Sequence, residues 1–210
     1  MTDSIFFDFD GVIMDSMALK LDSYAHALRQ FEFDRAALNQ IMVEHTGTSR
    51  HRILRVMHQE LAGTPISEEN FDRALADFNR EDAASVPRMP RVPGSLEFIE
   101  RFHADRFTAI VTGTPHDVIQ QTAEFHGLMA YFDVVRGTPD TKVQIVTEEM
   151  ERHQIVRENA LFIGDGKTDQ LAAEACGIRF VGMAGEHSSF DPATAWRVVS
   201  DLNELVGDFR

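Results

Sequence analysis

Cysteine is almost absent: Cys176 is the only one in 210 residues. A lone thiol excludes an intramolecular disulfide scaffold and predicts a reducing compartment, the cytoplasm. Basic residues are scarce too, 20 Lys and Arg against 34 Asp and Glu, a formal charge of −14. A surface of that sign repels nucleic-acid phosphates and anionic lipid, so no nucleic acid and no membrane is expected as a partner. No apolar run approaches the ~20 residues of a membrane span. The first ten residues are already acidic and lack the cationic stretch of a signal peptide. Seven prolines and 13 glycines are too few for a low-complexity chain. What is present is ordinary: 43% hydrophobic and 26% charged residues, enough for one globular domain with a modest insert.

The hydrophobic pattern divides the chain. Ser4 to Phe9 is short, aromatic and apolar, and Gly11 follows it, which predicts a buried strand. Over Met17–Phe33, Leu21, Tyr24, Ala25, Leu28 and Phe31 fall on one helical face. Further helices are predicted over 35–44, 49–61 and 68–84, the last started by Ser67 after the break at Thr64-Pro65. The pattern changes after Pro87, Pro90 and Pro93. Helices over 94–104, 116–127, 141–153 and 167–176 then alternate with strands at 108–112, 132–135, 160–164 and 178–181, and a helical tail closes near 201–208. Such alternation predicts an α/β fold class: a Rossmann-like parallel sheet core formed by 1–15 and 87–210, with an all-helical cap inserted at 16–86.

In open parallel sheets the chemistry lies beyond the carboxyl ends of the strands. There the sequence carries Asp8-Phe9-Asp10-Gly11, Thr112-Gly113-Thr114, Lys142 at a helix start, and Gly164-Asp165 with Asp169. Asp8 and Asp10 are two apart in an extended segment, so both side chains can share a face. Carboxylates gathered this closely repel one another unless a cation joins them. Few oxygen ligands, with room for water and phosphate, suit Mg²⁺. A carboxylate in such a site can attack phosphorus, and a second can protonate the leaving oxygen and later activate water. A hydroxyl, backbone N–H groups and a lysine can hold the phosphoryl oxygens.

The ordered set Phe7-Asp8-Phe9-Asp10-Gly11-Val12, Thr112-Gly113-Thr114, Lys142 and Gly164-Asp165 with Asp169 resembles the four motifs of the haloacid dehalogenase superfamily. The helical insert resembles the small cap of its phosphoglycolate phosphatase and β-phosphoglucomutase branch. The resemblance implies that Asp8 is the nucleophile and a Mg²⁺ ligand. It makes Asp10 the general acid/base, with its backbone carbonyl on the metal. Asp165 is implied as a further ligand and Asp169 as support for the metal site, while Thr112, Gly113 and Lys142 bind phosphate. An aspartate at position 10 speaks against dehalogenase chemistry.

Other features have plainer readings. Gly166-Lys167-Thr168 hints at a nucleotide P-loop, but Leu161 stands where that motif needs glycine. The nine histidines form no His-Glu-x-x-His pair, so no zinc site is expected. His45, His51 and His58 are expected to be surface or packing residues. In the cap, Lys20 and Arg50 are the candidates for reading the substrate. Lys20 stands where the mutase of this branch has histidine, which favours hydrolysis over transfer. The expected activity is Mg²⁺-dependent hydrolysis of a small phosphorylated metabolite, a sugar phosphate among the candidates, by a monomer or homodimer. The alternatives are a phosphosugar mutase and a non-catalytic phosphate-binding protein.

Overall fold

A computed structural model describes residues 2–209. Met1 and Arg210, the outer limits of the core expected from the sequence, lie outside them. Six parallel strands form one sheet: β1 (Ser4–Phe7), β2 (Phe107–Pro115), β3 (Val134–Thr138), β4 (Ala160–Gly164), β5 (Arg179–Met183) and β6 (Arg197–Val199). Their order is β3-β2-β1-β4-β5-β6, so β1 is central and pairs on both sides. That explains its composition: all four residues are buried, and a strand covered on both faces has no place for a polar alternation. Helices α5 (Ser95–Phe102), α6 (His116–Phe125), α7 (Lys142–Arg152) and α8 (Lys167–Cys176) connect the strands. Phe7, Phe98 and Ile110 lie in the apolar cluster of one sheet face; Phe6, Ile145 and Phe162 lie in that of the other.

Between β1 and α5 the chain builds four helices: α1 (Met17–Ala27), α2 (Arg35–Glu44), α3 (Arg50–Ala62) and α4 (Glu68–Ser85). Their starts follow local chemistry. The side chains of Asp34, Ser49 and Ser67 accept hydrogen bonds from Ala37, Arg52 and Asn70, occupying donors that the first turn leaves free. Gly63 ends α3 at φ +71°, a conformation that costs glycine little. Leu21, Tyr24, Leu38, Ile53, Leu54, Met57 and Phe78 form a hydrophobic cluster separate from those of the sheet. These helices therefore carry a core of their own.

The structure corrects several sequence expectations. The first helix stops at Ala27, and a 3₁₀ turn over Arg29–Phe31 follows, because Glu32 takes φ 54° and Phe31 stacks on Phe33 at 5.5 Å. The third strand begins at Val134, since the Asp133 side chain is used to accept the Thr108 backbone N–H at 2.9 Å. The helical tail expected near 201–208 is present as a 3₁₀ helix over Leu202–Phe209. Strand β6 has no counterpart in the sequence reading.

Candidate active site

The C-terminal edge of the sheet gathers the residues singled out above. Asp8 follows β1, and its backbone N–H donates to Ile163 of β4 at 2.9 Å, which continues the ladder and fixes its position. Asp165 follows β4, and Asp169 lies in the first turn of α8. Oxygens of Asp8, Asp165 and Asp169 all come within 4.8 Å of one another, and all three residues are buried. Lys142, the first residue of α7, reaches in from the β3 side. Its Nζ lies 2.8 Å from Asp8 Oδ2 and 2.5 Å from Asp169 Oδ1. The Thr141 side chain accepts from the Gln144 N–H while Gln144 accepts from the Thr141 N–H, a capping box that sets where α7 and its lysine begin.

The buried Lys142 and the half-buried Lys20 face four carboxylates here, and the imbalance appears in the proton affinities. Burial, then the charges of Asp8 and Asp169, push the Asp165 carboxyl well above the usual range. Burial and Asp8 likewise push Asp169 up to about 7, against the opposing pull of Lys142. Burial works against the charge of Lys142, but Asp169 and Asp8 outweigh it and hold the ammonium protonated. Asp165 Oδ1 is buried and has no hydrogen-bond partner among the described residues. An all-oxygen donor set of this kind, with one acceptor unsatisfied, fits a hard divalent cation such as Mg²⁺.

The Asp10 carboxylate does not join this triad. It faces the helices between β1 and α5, where Lys20 pairs with it and Ser16 donates to its other oxygen. Thr114 Oγ1 donates to Asp10 Oδ2 at 3.2 Å. Burial pushes the Asp10 carboxyl up, but Lys20, through charge and hydrogen bond, and then Ser16 and Thr114 reverse this and leave it below the usual range. Asp8 and Asp10 thus share one edge and look in two directions. The turn between them and β1's connection folds back because Gly11 holds φ +75°, and a side chain there would overlap the Asp165 carboxylate.

Thr112 is buried, and its hydroxyl accepts the Thr114 N–H at 3.2 Å. Gly113 lies under the loop before α3: a Cβ on it would sit 2.7 Å from the Gly47 carbonyl oxygen. Thr46, next in that loop, accepts from the Thr168 hydroxyl at 3.2 Å. The helices are therefore closed down on the sheet edge, leaving a cavity of about 40 Å³ above Asp8 and Asp10. Lys20 and Arg50 both line it, with Met17, Tyr24 and Phe78. Arg50 is held from behind: Asp82 is 3.0 Å away, Asn79 accepts at 2.8 Å, and the guanidinium lies 4.8 Å over the Phe78 ring. Burial pushes the Tyr24 phenol up, so it stays a neutral hydroxyl in that wall. Sequence reasoning gave no role to Thr114 or Ser16 and read Tyr24 only as a packing residue; Thr114's place two residues after Thr112 on one strand was the available signal.

Fold and site together define a parallel-sheet α/β protein with a helical insert and a carboxylate-rich strand edge. The chain belongs to the haloacid dehalogenase-like hydrolase family, whose profile matches residues 5–183. It is 27% identical over 214 residues to a phosphoglycolate phosphatase of Vibrio parahaemolyticus, which spans 96% of this chain and 93% of that one. A crystal structure of a predicted phosphoglycolate phosphatase from Haemophilus somnus superimposes with a TM-score of 0.83 at 18% identity, covering 100% of this chain and 98% of that chain. CbbY from Rhodobacter sphaeroides, in complex with phosphate, superimposes with a TM-score of 0.81 at 19% identity, over 98% and 97% of the two chains.

Proposed function

We propose that this protein is a Mg²⁺-dependent phosphatase that hydrolyses a small phosphomonoester through an aspartyl-phosphate on Asp8. The observation that carries the reading is the split environment of Asp8 and Asp10 on one sheet edge. Asp8 sits with the oxygen triad and Lys142, where an electrophile with anionic oxygens can be held. Asp10 sits beside it in a hydrogen-bonded pocket facing the cavity. Mg²⁺ held by Asp8 and Asp165, with Asp169 behind them and the Asp10 carbonyl as a further donor, would supply positive charge for the phosphoryl oxygens and relieve repulsion against Asp8.

The residues then divide the work. An oxygen of Asp8 attacks phosphorus and the P–O bond to the alcohol breaks; Asp10, ionised in the ligand-free site, takes up a proton from solvent as the anionic ester binds beside it and delivers that proton to the departing oxygen. Asp10 then takes a proton from water as that water attacks the acyl phosphate, freeing Asp8 and inorganic phosphate. Lys142, Thr112 and the Gly113 backbone hold the phosphoryl oxygens through both steps. Residues 16–86 act as a cap over a core of 1–15 and 87–210, hinged at 15–17 and 86–90, and their closure excludes bulk water. Lys20 and Arg50 face the leaving group.

The small cavity supports a short leaving group, and the names of the relatives make phosphoglycolate the first ester to try, followed by sugar phosphates. A lone cysteine supports reading the protein as a cytoplasmic enzyme. The test is phosphate release from a panel of small esters, with Mg²⁺ and with chelator, and with the organic product identified. Mg²⁺-dependent phosphate and free alcohol are expected. An isomerised sugar phosphate without phosphate release would make the protein a mutase. Neither product from any ester, with phosphate still bound, would leave a binding protein.

A further inference from the structure

Lys142 acts at the end of a long side chain, and the start of that chain has to be fixed from elsewhere. The capping box of Thr141 and Gln144 shapes the first turn of α7 but does not set where α7 lies against the sheet. Lys142, Ile145, Val146 and Glu149 are all buried, so Glu149 shares the inward face of the helix with Lys142. It stands seven residues on, two turns or about 10 Å along the axis. A carboxylate buried there needs a cationic partner, and the partner fixes the helix.

That partner is Arg136, on β3. Its Nη1 donates to Glu149 Oε1 at 2.8 Å and to Glu148 Oε2 at 2.7 Å, and its Nη2 donates to Asp140 Oδ2 at 2.7 Å. One guanidinium therefore holds the chain on both sides of Lys142: two residues before it in the loop, and six and seven residues after it in the helix. Its planar fork makes these bonds with little freedom of its own. Among the described residues, Arg136 makes the only ion pairs between α7 and a strand. It lines no part of the cavity above Asp8.

We propose that Arg136 is a positioning residue for the phosphate site. Holding Asp140 and Glu149 at once, it sets where α7 begins against β3, and so where the Lys142 ammonium stands beside Asp8. This rests on the phosphatase reading above, which gives Lys142 the phosphoryl oxygens. The loss without Arg136 is one of placement more than of folding. Glu149 keeps Arg152, at 3.1 and 3.2 Å. Asp140 and Glu148 are 47% and 51% exposed, where water can replace the guanidinium.

The test is a double-mutant cycle in the Mg²⁺-loaded protein: Arg136→Met, Lys142→Met and both together. Orthophosphate affinity by calorimetry, kcat/KM for the preferred ester and Tm are read for each. Arg136→Met alone is expected to weaken orthophosphate and to lower kcat/KM about ten-fold, the scale of a misplaced binding group. In the Lys142→Met background the same change should cost less than about two-fold, because no ammonium is left to place. Arg136→Lys, which keeps the charge and loses the fork, should recover part of the loss. Asp140→Asn cuts the loop tie alone and should weaken orthophosphate in the same direction; it takes the place of Arg136→Met in the cycle if that variant does not fold. Additive losses in the cycle would overturn the proposal. So would wild-type phosphate affinity in Arg136→Met with only Tm lowered, which would leave the residue a structural one. A wild-type protein that binds orthophosphate but releases none from any ester defeats the phosphatase reading instead, while the cycle is still read in affinity. A wild-type protein that does not bind orthophosphate removes the role of Lys142, and this proposal with it.

Discussion

Asp8 and Asp10 are chemically identical, and their neighbours make them different. Asp8 lies among buried carboxylates with Lys142, and Asp10 among donors from Lys20, Ser16 and Thr114. Asp8→Asn should lower turnover at least about 10³-fold with the fold retained, because the amide is no nucleophile. Asp10→Asn should cost about 10²–10⁴-fold, the range of a lost general acid. Full activity in either variant would sink the mechanism. Lys20→Ala should raise KM or relax selectivity for the preferred ester while an aryl phosphate is still cleaved, and equal losses on both would place Lys20 in the chemistry. Arg50 makes a sharper stability prediction. Its side chain and that of Asp82 are 5% and 7% exposed, so Arg50→Ala strands a buried carboxylate. That should destabilise the protein by about 3–5 kcal/mol, and adding Asp82→Ala should restore most of it. Thermal denaturation of the two variants gives the comparison.

The elements were legible wherever hydrophobic period or capping chemistry was strong. Helices at 35–44 and 167–176 and the strand at 160–164 coincide with their predicted ranges. The order of acid, hydroxyl, lysine and acid along the strand ends could be read because a parallel sheet puts all those ends on one edge. Strand β6 could not, since it is three residues long, two of them exposed, and its strand character comes from pairing with Val181–Met183. Nor could the partners of Arg50, which stand 29 and 32 positions along the chain and meet it only when α3 packs on α4. The contact of Gly47 with Gly113 is likewise tertiary. Gly113→Ala puts a methyl group against the Gly47 carbonyl, so it should hold the loop off the sheet edge. Turnover of the preferred ester is expected to fall with little change in Tm. An unchanged kcat would mean that the loop does not need this approach.

At the scale of the molecule, the buried acids link stability to pH and metal. Asp169 titrates near 7 in the folded protein, and Asp165 is also raised, against an ordinary value of 3.8. Between those limits the folded chain binds more protons than the unfolded one, so stability falls as pH rises. The metal-free protein should therefore lose Tm between about pH 5 and pH 7.5, and Mg²⁺ should raise Tm more at the upper end than at the lower. A Tm that is flat over that range, with or without Mg²⁺, would show the triad uncoupled from folding. The topology has a consequence of another kind, in the order of synthesis. The central strand leaves the ribosome before the other five described strands, yet Ser4 pairs with Phe107 on one side and Ala160 on the other. At about 5–20 residues per second, a Ser-Ile-Phe-Phe segment waits roughly 5–20 s for its first neighbour, and longer for its second. The four helices made in the interval have a self-contained core and can pack during the delay. The insert would thus become compact before the sheet does, and the strand that precedes it is the segment most in need of protection from aggregation.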